Sequence, residues 1–382
     1  MAGYFDHNAT TPVSTAAREA WLEAVERHWE NPSGLYREAG VVKRKLEELR
    51  EELASYMGYG PERVVFNSGA TEGNNAVFRA ETGDSRVLLG GVEHPSVRDA
   101  ARENLGRRVV ELSVSGAGVT EVEAIEKELG AGDVGLVSVM AANNETGVLQ
   151  PWGVIRELCH SAGVRYHCDA SQWIGKLALG GFAHCDLVTG SGHKFGGPKG
   201  VGFLVVPADG EAGFRSQSGG PQEAGYRGGT EDYPSIVAMM AALRERLTID
   251  GVGMSVDRDW FESELKTRIA GVRVVGEGSE RLWNTSMIVM PDHRNVKWLT
   301  RLSGLGFALS TGSACSSGRE NPSHVMEAMG LDYEEMGRVL RVSAGVETKR
   351  SDWASLVEAF EGVWGQLERG ERPSGSRSLA EL

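Results

Sequence analysis

Long apolar runs are missing from this sequence. No window of its 382 residues approaches the ~18 consecutive apolar positions of a membrane-spanning helix, which argues against such a span. The opening Met1-Ala2-Gly3-Tyr4-Phe5-Asp6-His7 has neither a basic start nor an apolar core, so no secretory leader is expected and the chain reads as cytoplasmic. Cysteine is scarce. The four present, Cys159, Cys168, Cys185 and Cys315, form no C-x-x-C pair and no disulfide-framework spacing, as suits a reducing compartment. Basic charge is short as well: 40 Lys and Arg against 53 Asp and Glu give a formal net charge of −13, which disfavours non-specific contact with nucleic acid or anionic membrane. A small-molecule or protein partner is expected instead.

The length suffices for one large domain and a smaller one. Residues 5–12 are too polar and turn-rich for a core strand and are expected to run over a surface or into a site. From Ser14, a candidate cap, Trp21, Leu22, Val25 and Trp29 recur at helical spacing. A second helix over about 40–57 sets Val42, Leu46, Leu49 and Leu53 on one face. Both read as ordinary packing helices. Between Arg63 and Val206 seven short apolar, mostly β-branched runs alternate with helical segments, the rhythm of an α/β domain with a mainly parallel seven-stranded sheet. After the glycine-rich links at 218–221 and 228–230, helix and strand signals recur in shorter units. This predicts a smaller α+β C-terminal domain, with 13–245 as the large domain and 1–12 joining 246–382 in the small one.

In such sheets ligands bind beyond the carboxyl ends of the strands, and the chemistry-bearing residues follow the apolar runs: Asn143 and Asn144, Asp169, and Lys194. Lys194 stands in Ser191-Gly192-His193-Lys194-Phe195-Gly196-Gly197-Pro198-Lys199-Gly200, where glycines give the backbone freedom and let a bulky ligand approach. Alone, such a lysine is equally a solvated loop charge. Together with Asp169, a Gly69-Ala70-Thr71 turn opening a helix, and His94 before Pro95, it makes the set that pyridoxal 5'-phosphate requires. That cofactor needs a Schiff-base lysine, a carboxylate for the pyridinium nitrogen, and an anchor for the phosphate. Cys315 lies in a run of small polar residues with no apolar period, a setting for a reactive thiol; Cys159, on an apparent helix, and Cys168, in a strand, read as core residues.

Over nearly its whole length the chain resembles the cysteine desulfurases, a group of the class V aminotransferase family within the fold-type I pyridoxal phosphate enzymes. The motifs that carry the resemblance are Asp6-His7-Asn8-Ala9-Thr10-Thr11-Pro12, Ser68-Gly69-Ala70-Thr71-Glu72, Glu93-His94, Asn143-Asn144-Glu145-Thr146-Gly147, Asp169-Ala170-Ser171-Gln172, Ser191-Gly192-His193-Lys194, Arg227-Gly228-Gly229-Thr230 and Ser313-Ala314-Cys315-Ser316-Ser317. The resemblance implies a pyridoxal phosphate homodimer that takes sulfur from L-cysteine, leaves L-alanine and holds the sulfur as a persulfide on Cys315. It implies Lys194 as Schiff-base lysine and proton carrier, Asp169 on the ring nitrogen, and His94 stacked on the ring as a possible proton relay. Gln172 and Asn144 would reach the ring's 3-oxygen. Ala70, Thr71, Ser191 and His193 would hold the phosphate, joined by Thr230 from the neighbouring subunit. Arg341, whose guanidinium suits a carboxylate through two parallel hydrogen bonds, would bind the substrate, with Asn144 beside it.

Three departures limit what the resemblance carries. Ser218-Gly219-Gly220-Pro221-Gln222-Glu223 stands where relatives have three glycines after a histidine, Val346 where many have a second arginine, and the C-terminal tail is unlike the segment that holds the iron–sulfur scaffold. The acceptor protein is therefore open among iron–sulfur cluster assembly, tRNA thiolation, DNA phosphorothioation and cofactor pathways. Selenocysteine lyases can share every motif named, and a catalytically silent sulfur-transfer scaffold is the alternative of another class.

Overall fold

A computed structural model describes residues 2–208, 214–249, 253–312 and 323–371. The chain enters through a two-residue strand, β1 (Gly3–Tyr4), and helices α1 (Thr15–Arg27) and α2 (Arg37–Met57) follow. Strands β2 (Val64–Asn67), β3 (Arg86–Gly90), β4 (Val109–Leu112), β5 (Val134–Ser138), β6 (Arg165–Asp169), β7 (Leu187–Ser191) and β8 (Gly202–Val205) then form one seven-stranded sheet in the order β2-β8-β7-β6-β5-β3-β4. Only β8 runs antiparallel to its neighbours, so the expected mainly parallel sheet is present. Helices α3 (Ala70–Ala80), α4 (Pro95–Leu105), α5 (Val122–Ala131) and α6 (Trp152–Ala162) make the crossovers, and α7 (Tyr233–Leu247) packs on α1.

The two-residue period of the strands divides their side chains between two apolar layers. Leu88, Val137, Tyr166, Val188 and Phe203 face the layer built with α2, α6 and α7; Val87, Leu89, Leu136, Leu187 and Leu204 face the layer built with α3 and α4. Burial on both faces explains why these runs read as continuous rather than alternating.

Beyond α8 (Ser255–Arg268), a second sheet of order β12-β10-β9 joins β9 (Arg273–Val274), β10 (Thr285–Val289) and β12 (Val339–Ser343), all antiparallel. Helix α9 (Asn295–Gly304), strand β11 (Phe307–Ala308), the short helices α10 (His324–Ala328) and α11 (Tyr333–Met336), and the long α12 (Arg350–Glu368) complete the chain. Phe261, Leu265, Ile288, Trp298, Leu340, Trp353 and Phe360 form a separate core here, and Phe5 is buried within it. β1 pairs with β11, and Asp6 bridges to Ser343, so residues 5–12 run into the interior between the two sheets' neighbourhoods rather than over the surface.

One expectation is corrected. α1 buries only Ala17 and Ala24, while Trp21, Leu22, Val25 and Trp29 stay exposed, Trp29 at 70%. The helical period holds for Trp21, Leu22 and Val25, whereas Trp29 lies past the helix end at Arg27; the apolar face turns outward because α7 takes the small-residue face. α2, by contrast, buries Val42, Leu46, Leu49 and Leu53 as the pattern requires.

Candidate active site

The carboxyl edge of the large sheet gathers most of the expected residues. β6 ends on Asp169, 5% exposed, whose Oδ1 accepts the N–H of Ser171 at 2.9 Å and whose Oδ2 accepts from the Asn74 amide at 3.0 Å. The first bond is the turn-capping role a carboxylate plays at a strand exit; the chain that follows forms consecutive turns over 171–176 instead of a helix. Asn74 is itself fixed by Thr189 Oγ1 at 2.7 Å and donates to Ser96 Oγ at 2.9 Å, and Ser96 Oγ meets His94 Nδ1 at 2.8 Å. A continuous polar chain thus links Asp169 to His94. His94 also caps α4 through Nδ1, so the capping and site roles coexist, and burial lowers its pKa.

β7 ends on Ser191 and a short 3-10 turn carries His193 and Lys194 past the edge. Gly196 has a left-handed φ of +98°, which a side chain would strain, while Gly192 is required for space: a Cβ there would stand 2.9 Å from Met239 Cγ. Lys194 Nζ donates to the carbonyls of Asn8 at 2.8 Å and Ala9 at 3.0 Å, and no carboxylate among the described residues pairs with it. Burial, aided by the Arg341 charge and opposed by Asp169 and Asp6, lowers its pKa to about 8. An amine so placed is a nucleophile and proton carrier near neutral pH. His193 is pushed down to about 4, mainly by burial, and its Nδ1 meets Thr10 Oγ1 at 3.1 Å.

At the start of α3, Ala70 and Thr71 present N–H groups that have no carbonyl one turn back. Gly69 there holds φ +139°, and its bare Cα lets Ser191 Oγ approach; a Cβ would stand 3.3 Å from that hydroxyl. The helix N-terminus, Ser191 and the exposed Thr71 hydroxyl make an anion cradle. Thr230 is exposed in the loop before α7, on a small cleft with Asn67, Ser68 and Arg227 that neither Lys194 nor Asp169 lines.

Arg341 comes from the second sheet. It is the third residue of β12, 2% exposed, and donates from Nη1 to the carbonyls of Asn144 at 3.0 Å and Gly312 at 3.1 Å and from Nη2 to Asp6 Oδ1 at 2.7 Å. Its Nε is buried without a hydrogen-bond partner among the described residues. Cys315 lies outside the described residues. The other three cysteines are buried, and burial drives Cys159 and Cys185 up to about 12 and Cys168 upward as well, so they are inert at neutral pH.

Three site residues carried no role in the sequence reading. Asn8 is a hub: its Nδ2 reaches Asn144 O and Thr285 Oγ1, its N–H reaches Ser343 Oγ, and its carbonyl accepts from both Lys194 and Gln172. Asp6 pairs with Arg341, and the half-buried Lys176 is hydrogen-bonded to Gln172 and Asn8. Asn8 and Asp6 sit inside a recognised motif, so polarity in a turn-rich run was the available signal. Lys176 offered only its spacing of four from Gln172.

The model of the family described as aminotransferase class-V matches residues 3–356. The chain belongs to that family. It is 35% identical over 370 residues to a cysteine desulfurase of Trichormus azollae, covering 94% of this chain and 91% of that one. Among solved structures, a NifS-like protein from Rickettsia africae superposes with a TM-score of 0.85 at 26% identity, covering 95% and 99% of the two chains. A protein named SspA, solved in complex with cysteine, gives 0.78 at 27% identity and 89% and 98% coverage. The fold is accordingly that of fold-type I enzymes.

The class V family implies pyridoxal phosphate, and the residues present fit that group. An amine with a depressed pKa, a carboxylate held by an amide and a backbone N–H, and a helix-end anion cradle lie on one sheet edge.

Proposed function

We propose that this chain is a cysteine desulfurase that takes the sulfur of L-cysteine, releases L-alanine and passes the sulfur on through a protein persulfide. The observation that carries this reading is that Lys194, held on the Asn8 carbonyl, lies close enough to both Asp169 and the buried Arg341 to feel their charges, in a family member whose relatives are cysteine desulfurases.

Pyridoxal phosphate, when bound, supplies an electron sink that makes the substrate Cα–H acidic and its sulfur open to attack. Ala70, Thr71, Ser191 and His193 would hold its phosphate, with Thr230 of a second copy adding a hydroxyl. Asp169 would keep the ring nitrogen protonated, steadied by Asn74. Gln172 and Asn144 would reach the 3-oxygen, and His94 would cover the ring. Arg341 binds the substrate carboxylate and Lys194 moves the Cα proton. The Cys315 thiolate attacks the substrate sulfur: the carbon–sulfur bond breaks, a sulfur–sulfur bond forms, and a proton ends on the former Cβ, so cysteine plus thiol becomes alanine plus persulfide.

The exposed apolar face of α1, continued by Leu35 and Tyr36, supports a homodimer. We assign 13–245 to the cofactor-binding domain and 1–12 with 246–382 to the small one. No helix among the described residues is long and apolar enough to cross a membrane; we place the enzyme in the cytoplasm, serving a sulfur-acceptor protein such as those of iron–sulfur cluster assembly.

The deciding experiment mixes the parent, Cys315→Ser and Lys194→Ala with L-cysteine and measures alanine and protein-bound sulfur. Cys315→Ser is expected to respond spectrally to cysteine yet release little alanine and carry no persulfide, and Lys194→Ala to fail earlier, losing on the order of 10²–10⁴ in rate or more. Alanine release by Cys315→Ser at the parent rate would overturn the reading.

A further inference from the structure

Lys176 is a half-buried amine for which the chemistry above has no use. Its Nζ lies 3.1 Å from Asn8 Oδ1 and is hydrogen-bonded to Gln172 Oε1. Both partners are amide oxygens, not carboxylates. The charged groups that act on it are Lys194 and Arg341, His7 lies near enough to feel its charge, and the carboxylates Asp6 and Asp169 act on Lys194. Burial and the two cationic neighbours lower its pKa well below the usual lysine value, and two acceptors match the two hydrogens of a neutral amine.

The chain delivers Lys176 to this place deliberately. Gly175, at φ +75°, has no room for a side chain, since a Cβ would lie 2.3 Å from Phe195 Cβ, next to Lys194. The Trp283 indole N–H then anchors the Lys176 carbonyl at 3.0 Å.

An amide side chain can present either end to its surroundings, and which end faces the site decides whether Gln172 donates or accepts there. Gln172 Nε2 points to the Asn8 carbonyl at 3.0 Å, the same oxygen that Lys194 Nζ contacts at 2.8 Å. Turning the amide over would set Oε1 against that carbonyl and take from the Lys176 N–H the oxygen it donates to. The Asn8 amide is pinned likewise, because Lys176 and Asn284 both donate to its Oδ1 and its Nδ2 serves Asn144 and Thr285.

We propose that Lys176 is a positioning residue that locks the Gln172 amide with its N–H donors toward Lys194, so that Gln172 donates to the cofactor's 3-oxygen. The proposal rests on the desulfurase reading and adds a residue to it. A donor at that oxygen disfavours protonation of the neighbouring nitrogen that Lys194 contributes. Removing Lys176 frees Gln172 and raises the pH at which the visible band of the bound cofactor titrates.

The test is a pH titration of that band in the holoenzyme for the parent, Lys176→Met, Gln172→Leu and the double variant. Each single variant is expected to raise the midpoint by about one unit, and the double variant to go no further, because Lys176 acts only through Gln172. An unchanged midpoint in Lys176→Met overturns the proposal, and so does a Lys176 shift that persists in full beside Gln172→Leu, since that would be the loss of a charge and not of an orientation. If Lys176→Met does not fold, Lys176→Gln is read in its place, with a smaller shift in the same direction expected and no shift overturning the lock. A protein that takes up no pyridoxal phosphate and shows no band overturns the functional reading itself; a band indifferent to Lys176 removes only the lock.

Discussion

The carboxyl edge of the large sheet and the layer formed by residues 5–12 with β12 supply different halves of the site, by different means. On the sheet edge each group follows its own strand within a few residues: Asp169 closes β6, and Lys194 stands three residues beyond β7. Its supports, Asn74, Ser96 and Thr189, come from the same sheet or the helices packed on it. On the other side, Asp6 meets Arg341 and Asn8 meets Ser343, each across 335 residues of sequence. The first half is produced by local connection and the second only when two separate cores close on each other. On the proposed reading, one half holds cofactor and the other substrate, so the part that exchanges each turnover is the part that depends on closure.

Arg341→Ala tests that division most severely. It removes a buried guanidinium and leaves Asp6 without its partner, so a loss of about 2–5 kcal/mol in substrate binding is expected, seen as a raised KM with the cofactor's affinity little changed. Comparable loss of cofactor would show that the halves are not separate. Asn74→Ala probes the opposite side. It takes one hydrogen-bond partner each from Asp169 Oδ2, Ser96 Oγ and Thr189 Oγ1, and about 1–3 kcal/mol of stability should go, read by denaturant unfolding, along with cofactor affinity but not KM. The smallest effect concerns pH. The folded state depresses the Lys194 pKa, so its reactive neutral form gains population as pH rises through about 8. Covalent capture of pyridoxal phosphate by the apo protein should quicken roughly tenfold between pH 7 and 9 and then level off. Continued rise toward pH 10.5 would mean that the amine is not desolvated as described.

The seven strands of the large sheet were legible because each is an apolar run bounded by turns. β12 is not legible as a strand: Val339-Leu340-Arg341-Val342-Ser343 puts a charge in the middle of a fully buried run, and no local pattern announces that Asp6 will neutralise it. β1 and β11 are two-residue pairings with no period to detect. In the site, Lys194 and Asp169 were legible from their own neighbours in sequence. Asn8, Asp6 and Lys176 were not, since each matters through partners brought by the fold. The α1 error has the same origin. Periodicity shows that Trp21, Leu22 and Val25 share a face, but burial depends on which face the neighbouring helix takes.

The Asn8 hub also sets an order on biosynthesis. Asn8 is made 335 residues before Ser343, whose hydroxyl receives its N–H, and the strand that pairs with β1 begins only at Phe307. The large sheet is fully translated by Val205, so a nascent chain can carry Lys194 and Asp169 long before Asn8 is anchored. Arg341 and Ser343 are made well after that sheet, and only then can the amino-terminal segment be seated. On the proposed reading, a chain made only as far as the large sheet carries the amine without the arginine that would grip an amino acid, so the order of synthesis delays the substrate half of the site.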